Sequence, residues 1–366
     1  MKPVRPDCVE GPIAPGQMLQ QAQHERNFGD VFMRKIRAIV SLFALLSTIP
    51  AIAQTGATPE YPSPNAIVDA APASDWVKIA PSDLLVMDLA PDAKGEARRV
   101  VIQLMPEPFS QGWIRNIRKL TAAKFWDGTS INRVQDNYVV QWGDAGYDNP
   151  ESGETEQKVL PEGLETVPES EYQVDFDAQL SSEQRKSFGR AVASFWPWHT
   201  TFPLQDGYSK ETGFIKGWAL AFRDRKTWPI HCYGAVGVGR NYSPDTGSGA
   251  ELYTVIGHAP RHLDRNIAVV GRIIEGIEHL SSLPRGKGQL GFYADASKRV
   301  PITSIRLGDA LGDGSAPAFE YLDTNSDVFA QYADARANRR DPFFIKPAGG
   351  ADICNIPVPV RRVSEK

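Results

Sequence analysis

The stretch "FWDGTSINRVQDNYVVQWGD", residues 125–144, holds two apolar runs on either side of the polar turn "QDN". Each run is short and rich in β-branched and aromatic side chains, so the pair reads as two strands of a hairpin. The first run carries Arg133 and the second Gln141. An arginine on a short strand ordinarily lies on its solvated face, because charged side chains are seldom buried without a partner. The alternative is that a permanent cation and an amide stand beside an apolar surface for a chemical reason.

Outward from this hairpin the pattern repeats. Upstream, "LLVMDL" (84–89) and "RRVVIQLM" (98–105) are β-rich runs separated by the turn-like "APDAKGEA". In "FSQGWIRNIRKLTAAKF", Trp113, Ile114, Ile117 and Leu120 recur at helical spacing, which predicts an amphipathic helix with a solvated Arg/Lys face. Downstream, residues 145–228 differ: acidic at first, then helix-like in "SSEQRKSFGRAVASFW", then loop-like in "WPWHTTFPLQDGYSKETG". Short strands return with "HCYGAVGVGR", "AELYTVIG", "IAVVGRII" and "VPITSIRL", with a short helix at "EGIEHLSSL". A last helix is expected around "DVFAQYADARANRR", followed by a Pro-rich tail. Many short strands with few short helices point to a mainly β barrel or sandwich.

Composition agrees. The chain has 366 residues, of which 42% are hydrophobic and 23% charged, enough for a sizeable core. Its 28 prolines and 31 glycines favour turns over long helices. A net charge of −4 without a long basic run makes nucleic acid a poor partner.

"MRKIRAIVSLFALLSTIPAIAQ" begins at Met33. Arg34, Lys35 and Arg37 precede an apolar run from Ala38 to Ile49, and Ala51-Ile52-Ala53 supplies small residues, the three-part layout of a secretory signal peptide. The run is short against the ~20 apolar residues of a membrane span. Cleavage after Ala53 is expected, giving a periplasmic or secreted chain without stable membrane insertion; an uncleaved anchor is the alternative. The 32 residues before Met33 are polar and patternless, as an upstream start codon would leave them. The expected organisation is therefore 1–53 N-terminal segment and signal peptide, 54–82 Pro/Ala-rich linker, 83–308 barrel domain with insertion 145–228, and 309–366 C-terminal extension. Cys232 and Cys354 could pair in an oxidising compartment or remain two buried thiols.

Several motifs tempt and fail. "DTGS" (245–248) is the short signature of aspartic proteases, but it follows the polar turn "RNYSP" and has no second copy. "GAVGVG" (234–239) has the wrong order for a dinucleotide loop. His258 and His262 have a metal-ligand spacing, but Pro260 between them breaks the helix that would align them. No histidine enters a nucleophile or metal constellation, and no metal or cofactor is implied. "SFWPWHTTF" (194–202) is read as packing the insertion onto its own domain rather than as a binding patch.

The opening stretch carries a specific resemblance. "VVIQLMPEPF…NIRKL…FWDGTSINRVQDNYVVQWGD" and "GVGR…SGAELYTVIGHAPRHLDRNIAVVGRIIEGIEHL" resemble the two halves of a cyclophilin-type peptidyl-prolyl cis-trans isomerase, the bacterial exported type. Phe125, Asp127, Gly128, Thr129, Arg133, Val134, Gln141, Gly143 and Asp144 stand in the family's register. The resemblance spans 84–144 and 229–307, with a large insertion between. It implies an eight-stranded antiparallel β-barrel capped by two helices, with an irregular, partly helical insertion. It also implies catalytic roles for Arg133 and Gln141, a proline pocket of Tyr138, Val139, Tyr253 and Leu263, and substrate-backbone pairing along Gly239 and Arg240. Glu251 and His262 complete the substrate-binding set, in place of the family's Gln and a common Trp. Asn132, Leu252 and Ile267 also depart from the usual His, Phe and His.

Such a site suits the reaction. Rotation about an X-Pro bond faces a barrier of ~18–20 kcal/mol because resonance stiffens the C–N bond. As the bond twists, the prolyl nitrogen becomes a hydrogen-bond acceptor, and a fixed guanidinium can donate to it in the twisted state. Proline-containing polypeptides are then the partners, and assistance to the folding of exported proteins is the expected function. A cyclophilin-like module that only binds peptides, as chaperone or scaffold, is the rival. Nothing in the sequence sets an oligomeric state.

Overall fold

A computed structural model describes residues 61–147, 149–194, 206–312 and 315–363. The export segment and the aromatic run 195–202 lie outside the described residues. Along the first half run α1 (Pro64–Asp69), β1 (Trp76–Lys78), β2 (Leu84–Leu89), β3 (Arg98–Leu104), α2 (Gln111–Ala122), β4 (Ser130–Val134) and β5 (Val139–Gly143). The insertion contributes β6 (Val174–Asp175), α3 (Phe176–Gln179), α4 (Ser182–Ser194), β7 (Glu211–Ile215), β8 (Trp218–Arg223) and β9 (Lys226–Pro229). There follow β10 (Ala235–Val238), β11 (Leu252–Val255), β12 (Val269–Glu275), α5 (Glu278–Ser281), β13 (Val300–Leu307), β14 (Phe319–Leu322), α6 (Asp327–Ala337) and β15 (Val360–Arg362).

Eight of these strands close into an antiparallel barrel in the order β10-β11-β5-β4-β13-β2-β3-β12, as expected. The hairpin β2–β3 shows why its sequence is nearly continuous in apolar residues. Side chains alternate between faces. Leu85, Met87, Val100 and Ile102 point into the barrel core, whereas Leu84 and Val101 form an outer cluster with Ile79 and Phe319. The outer face of this hairpin is therefore covered by segments flanking the barrel. Helix α2 buries Trp113, Ile114, Ile117 and Leu120 in the barrel core, and α5 adds Leu280.

Two expectations need correction. Residues 61–82 are not a linker: α1 is capped by the Ser63 hydroxyl, and β1 pairs with β14, which pairs with β15. Pro/Ala composition concealed this because the partners lie more than 200 positions downstream. The insertion is not irregular either, since β6-β9-β8-β7 form an antiparallel sheet. Its hairpins turn at Lys216-Gly217 and Asp224-Arg225, all four with positive φ, the two-residue turn that matches strand twist. The cationic face of α2 is solvated as expected, and its side chains are also paired. Arg115 and Lys119 bond the Glu165 carboxylate, pulling its pKa down to about 2, and Arg118 bonds Asp83. These pairs are solvent-exposed, so they orient the insertion more than they stabilise it.

The insertion sheet and the flanking segments share a second core, in which Trp76, Phe214, Trp228, Leu322 and Phe329 meet. Beside it Cys232 and Cys354 are joined, with S–S 2.06 Å, which decides between the two readings of these cysteines. Among the described residues, no helix is long and apolar enough to cross a membrane.

Candidate functional site

Arg133 owes its position to a bulge. The β4–β5 register passes from Ile131↔Trp142 to Arg133↔Gln141, so Asn132 is the extra residue on its strand. Ile131 and Val134 turn into the core, and Arg133 is left on the outer wall directly opposite Gln141. Its Nε donates to the Leu290 carbonyl at 2.8 Å and its Nη1 to Gln141 Oε1 at 3.1 Å, while Nη2 donates to Gln135 Oε1. The guanidinium also lies over the rings of Phe292 and Tyr138, at 5.5 and 5.9 Å. Burial lowers its pKa, partly opposed by Tyr138, Glu151 and Tyr253, and it remains a cation.

Arg133 and Gln141 border a groove of about 770 Å³. Tyr138, Val139, Tyr253 and Leu263 line it, so the side chains expected to form the pocket do come together. Gly239, Arg240 and Glu251 line it too. His262 does not, but its ring stacks on Tyr138 with centroids 6.3 Å apart. Gly239 and Arg240 lie just past the end of β10 rather than on it, because regular pairing stops at Val238↔Leu252. "DTGS" forms part of the rim: Asp245 accepts from the backbone N–H groups of Asn241 and Gly247, and the Trp113 indole donates to the Thr246 and Gly247 carbonyls. Its carboxylate is engaged in shaping a turn.

Glu251 is buried beside Gln141, whose Nε2 reaches its Oε2 at 3.5 Å. Burial pushes its pKa well above the ordinary value, against the weaker pull of Gln141. Gly143, at φ 148°, makes room for it, since a Cβ there would stand 2.0 Å from Glu251 Oε1. A protonated carboxyl carries one donor and one acceptor, as an amide does, so the departure from glutamine is smaller than the sequence suggests. Raising the pH through the range between the free glutamate value of 4.5 and the raised native value removes protons from the native state that the unfolded chain has already lost. Stability therefore falls across that window. Glu251→Gln should be more stable than the parent at neutral pH, with little difference below pH ~4. Thermal melts at several pH values check this, and equal melting temperatures at neutral pH would contradict it.

Sequence reasoning missed a buried polar chain behind the pocket. His231, fully buried, is bonded at Nδ1 to Asp264 Oδ1 and at Nε2 to the Tyr253 hydroxyl, both at 2.9 Å. Asp264 also accepts from the His231 backbone N–H and from Arg261 Nε, so the imidazole proton belongs on Nδ1 and the tyrosine donates to Nε2. Arg261 in turn forks onto both carboxylate oxygens of Asp206, in the insertion, at 3.1 and 2.6 Å. Burial opposes ionisation of Asp206, but Arg261, Ser209 and the Tyr208 N–H outweigh it and hold its pKa low. Burial raises the Tyr253 pKa well above normal, so its hydroxyl stays protonated and the chain positions a ring rather than making a nucleophile. That ring lies flat on Gly237, where a Cβ would stand 2.4 Å from it. The only sequence signal was a tyrosine where the family strand motif has its second phenylalanine. Among the described residues no group of three or more His, Cys, Asp or Glu side chains could hold a metal ion.

Comparison with known proteins bears on this geometry. A family model described as cyclophilin type peptidyl-prolyl cis-trans isomerase/CLD matches residues 93–307. The crystal structure of the cyclophilin AquaCyp293 from Hirschia baltica is similar at TM-score 0.57 and 21% identity, covering 80% of this chain and 95% of that one. A Cryptosporidium parvum cyclophilin type peptidyl-prolyl cis-trans isomerase, crystallised in the presence of the dipeptide Ala-Pro, gives TM-score 0.32 at 12% identity, covering 61% of this chain and 98% of that one. No curated protein matches the chain.

Proposed function

Since the chain belongs to the cyclophilin-type peptidyl-prolyl cis-trans isomerase family, we propose that it isomerises X-Pro bonds in exported polypeptides by arginine stabilisation of the twisted amide. The carrying observation is Arg133 itself. Of its five N–H donors, three are engaged by Leu290, Gln141 and Gln135, which fixes the plane of the guanidinium. The two remaining N–H groups sit on the terminal nitrogens, beside the groove. The proline ring seats among Tyr138, Val139, Tyr253 and Leu263, and the preceding carbonyl swings while the ring stays fixed. The prolyl nitrogen gains basicity only as conjugation is lost, so the donated hydrogen bond strengthens in the transition state and little in either planar isomer. Gln141 holds Nη1 in place, and no nucleophile, metal or general base is required. The Ala-Pro dipeptide used with the Cryptosporidium parvum protein is a ligand of the kind this groove would accept. Magnetisation-exchange NMR on an X-Pro peptide with the chain starting at Gln54 tests the reading. Binding without accelerated exchange would leave the protein a peptide-binding module instead.

Delivery outside the cytosol rests on the export pattern at 33–53 and is supported by the Cys232–Cys354 bond, which persists in oxidising compartments. Intact-mass analysis of protein from the cell envelope should return a chain starting at Gln54. Recovery from the cytosol with Met33 retained would refute export.

A further inference from the structure

A second cavity, of about 390 Å³, opens where the barrel, the insertion sheet and the C-terminal segment meet, and it shares no lining residue with the groove. Its size falls within the range of ligand sites, roughly 300–1,000 Å³. The walls are apolar: Ile273 from β12, Trp218 from β8, Ile230 after β9, and Ile356 and Val358 near the Cys232–Cys354 bond. Tyr233 stands at the rim, half-exposed. Among the described residues, two arginines line the cavity, Arg272 and Arg336, and no aspartate or glutamate does.

Arg272 is the informative one. Its Nε and Nη2 both donate to Gln103 Oε1, at 2.9 and 2.7 Å, and its Nη1 donates to the Gly217 carbonyl at 2.7 Å. Its cation lies over the Trp218 ring at 4.7 Å. All of these partners are neutral, and no salt bridge reaches it among the described residues. Burial accordingly drags its pKa down to about 10, against a small opposing effect of Tyr321. A cation drawn out of water without a counter-charge is costly, and an arriving anion would offset that cost with charge-assisted hydrogen bonds. Two of its five N–H donors have no partner among these contacts. Trp218, beneath the guanidinium, also keeps a buried indole N–H without a partner among the described residues.

We propose that this cavity binds a small amphiphilic anion, a carboxylate borne on an apolar chain, with its head on Arg272 and its tail along Ile230, Ile273, Ile356 and Val358. The charge selects the head group, and the absence of acidic side chains in the walls leaves nothing to repel it. The site joins the barrel to the two segments added to it. Occupancy is independent of the isomerase reaction, because the groove and the cavity have separate linings.

Titration calorimetry with decanoate, decanol and decylamine, each below its micellar concentration, tests the assignment. Decanoate should bind at one site per chain, at least tenfold more tightly than decanol, with decylamine weaker still. Arg272→Gln should weaken decanoate at least tenfold and leave decanol unchanged. Ala219→Trp fills the cavity from its wall and should abolish decanoate binding with X-Pro exchange intact, so the test stands even if the Arg272 variant does not fold. Equal affinity for decanoate and decanol, no saturable binding, or binding that survives Ala219→Trp would each overturn the proposal.

Discussion

Arg133→Ala lowers kcat/KM for X-Pro isomerisation by 10²–10³-fold, a loss of about 2.7–4 kcal/mol of the kind seen when one donor is removed from a preorganised site. The donor that disappears is fixed by three hydrogen bonds and two aromatic faces. The walls formed by Tyr138, Val139, Tyr253 and Leu263 remain, and peptide affinity in the ground state should change far less than rate. Arg133→Lys should recover little, because an ammonium cannot donate to Gln141, Gln135 and Leu290 in one plane and still reach the substrate. The readout is the exchange rate of a proline peptide by line-shape NMR, with circular dichroism confirming that each variant folds. A folded alanine variant with full activity would reduce Arg133 to an ordinary strand residue.

Removing the Cys232–Cys354 bond should produce the largest loss of stability from a single chemical change. The bond closes a loop with a sequence separation of 122. The chain-entropy relation gives about 5 kcal/mol for a loop of that length, against a total stability of about 5–15 kcal/mol for most domains. The bond fastens the segment before β10 to the residues before β15, and so clasps the C-terminal segment against the barrel and the insertion. Urea unfolding of Cys232→Ser/Cys354→Ser, compared with the oxidised parent, should show a midpoint lowered by more than 1 M, given slopes of about 1–3 kcal/mol per M. X-Pro exchange per folded molecule should persist, since neither cysteine borders the groove. An unchanged midpoint would show that the second core holds the segment without help.

The barrel was legible because its strands are short apolar runs whose turns are marked by Gly, Asp and Asn, and because Arg133, Gln141 and the glycines around them recur at fixed spacing. The insertion sheet was legible in principle. "GFIKGWALAF" places Lys216-Gly217 between two apolar runs, a hairpin signature that the loop-like residues upstream obscured. The β1 strand was not legible, since Trp76 and Val77 meet Leu322 and Tyr321 only in three dimensions. The same holds for the chain behind the pocket. Tyr253, His231 and Asp264 come from three segments, at separations of 22 and 33, and no spacing rule joins them. Glu251 was found by position, but its protonation depends on a burial that only the folded barrel creates.

The three-stranded sheet β1-β14-β15 sets an order of events for a chain that is made from its N-terminal end. Strand β1 arrives first and has no partner until residue 319 follows it. At roughly 5–20 residues per second that interval of about 240 residues lasts on the order of tens of seconds. Throughout it Trp76 lacks Leu322 and Phe329, its core neighbours from beyond residue 319, whereas all eight barrel strands are in hand by residue 307. The isomerase barrel can thus be complete while the clasp around it is still open. A chain cut short between β13 and β14 would carry the whole groove and leave the outer face of its first hairpin bare to whatever else is folding nearby.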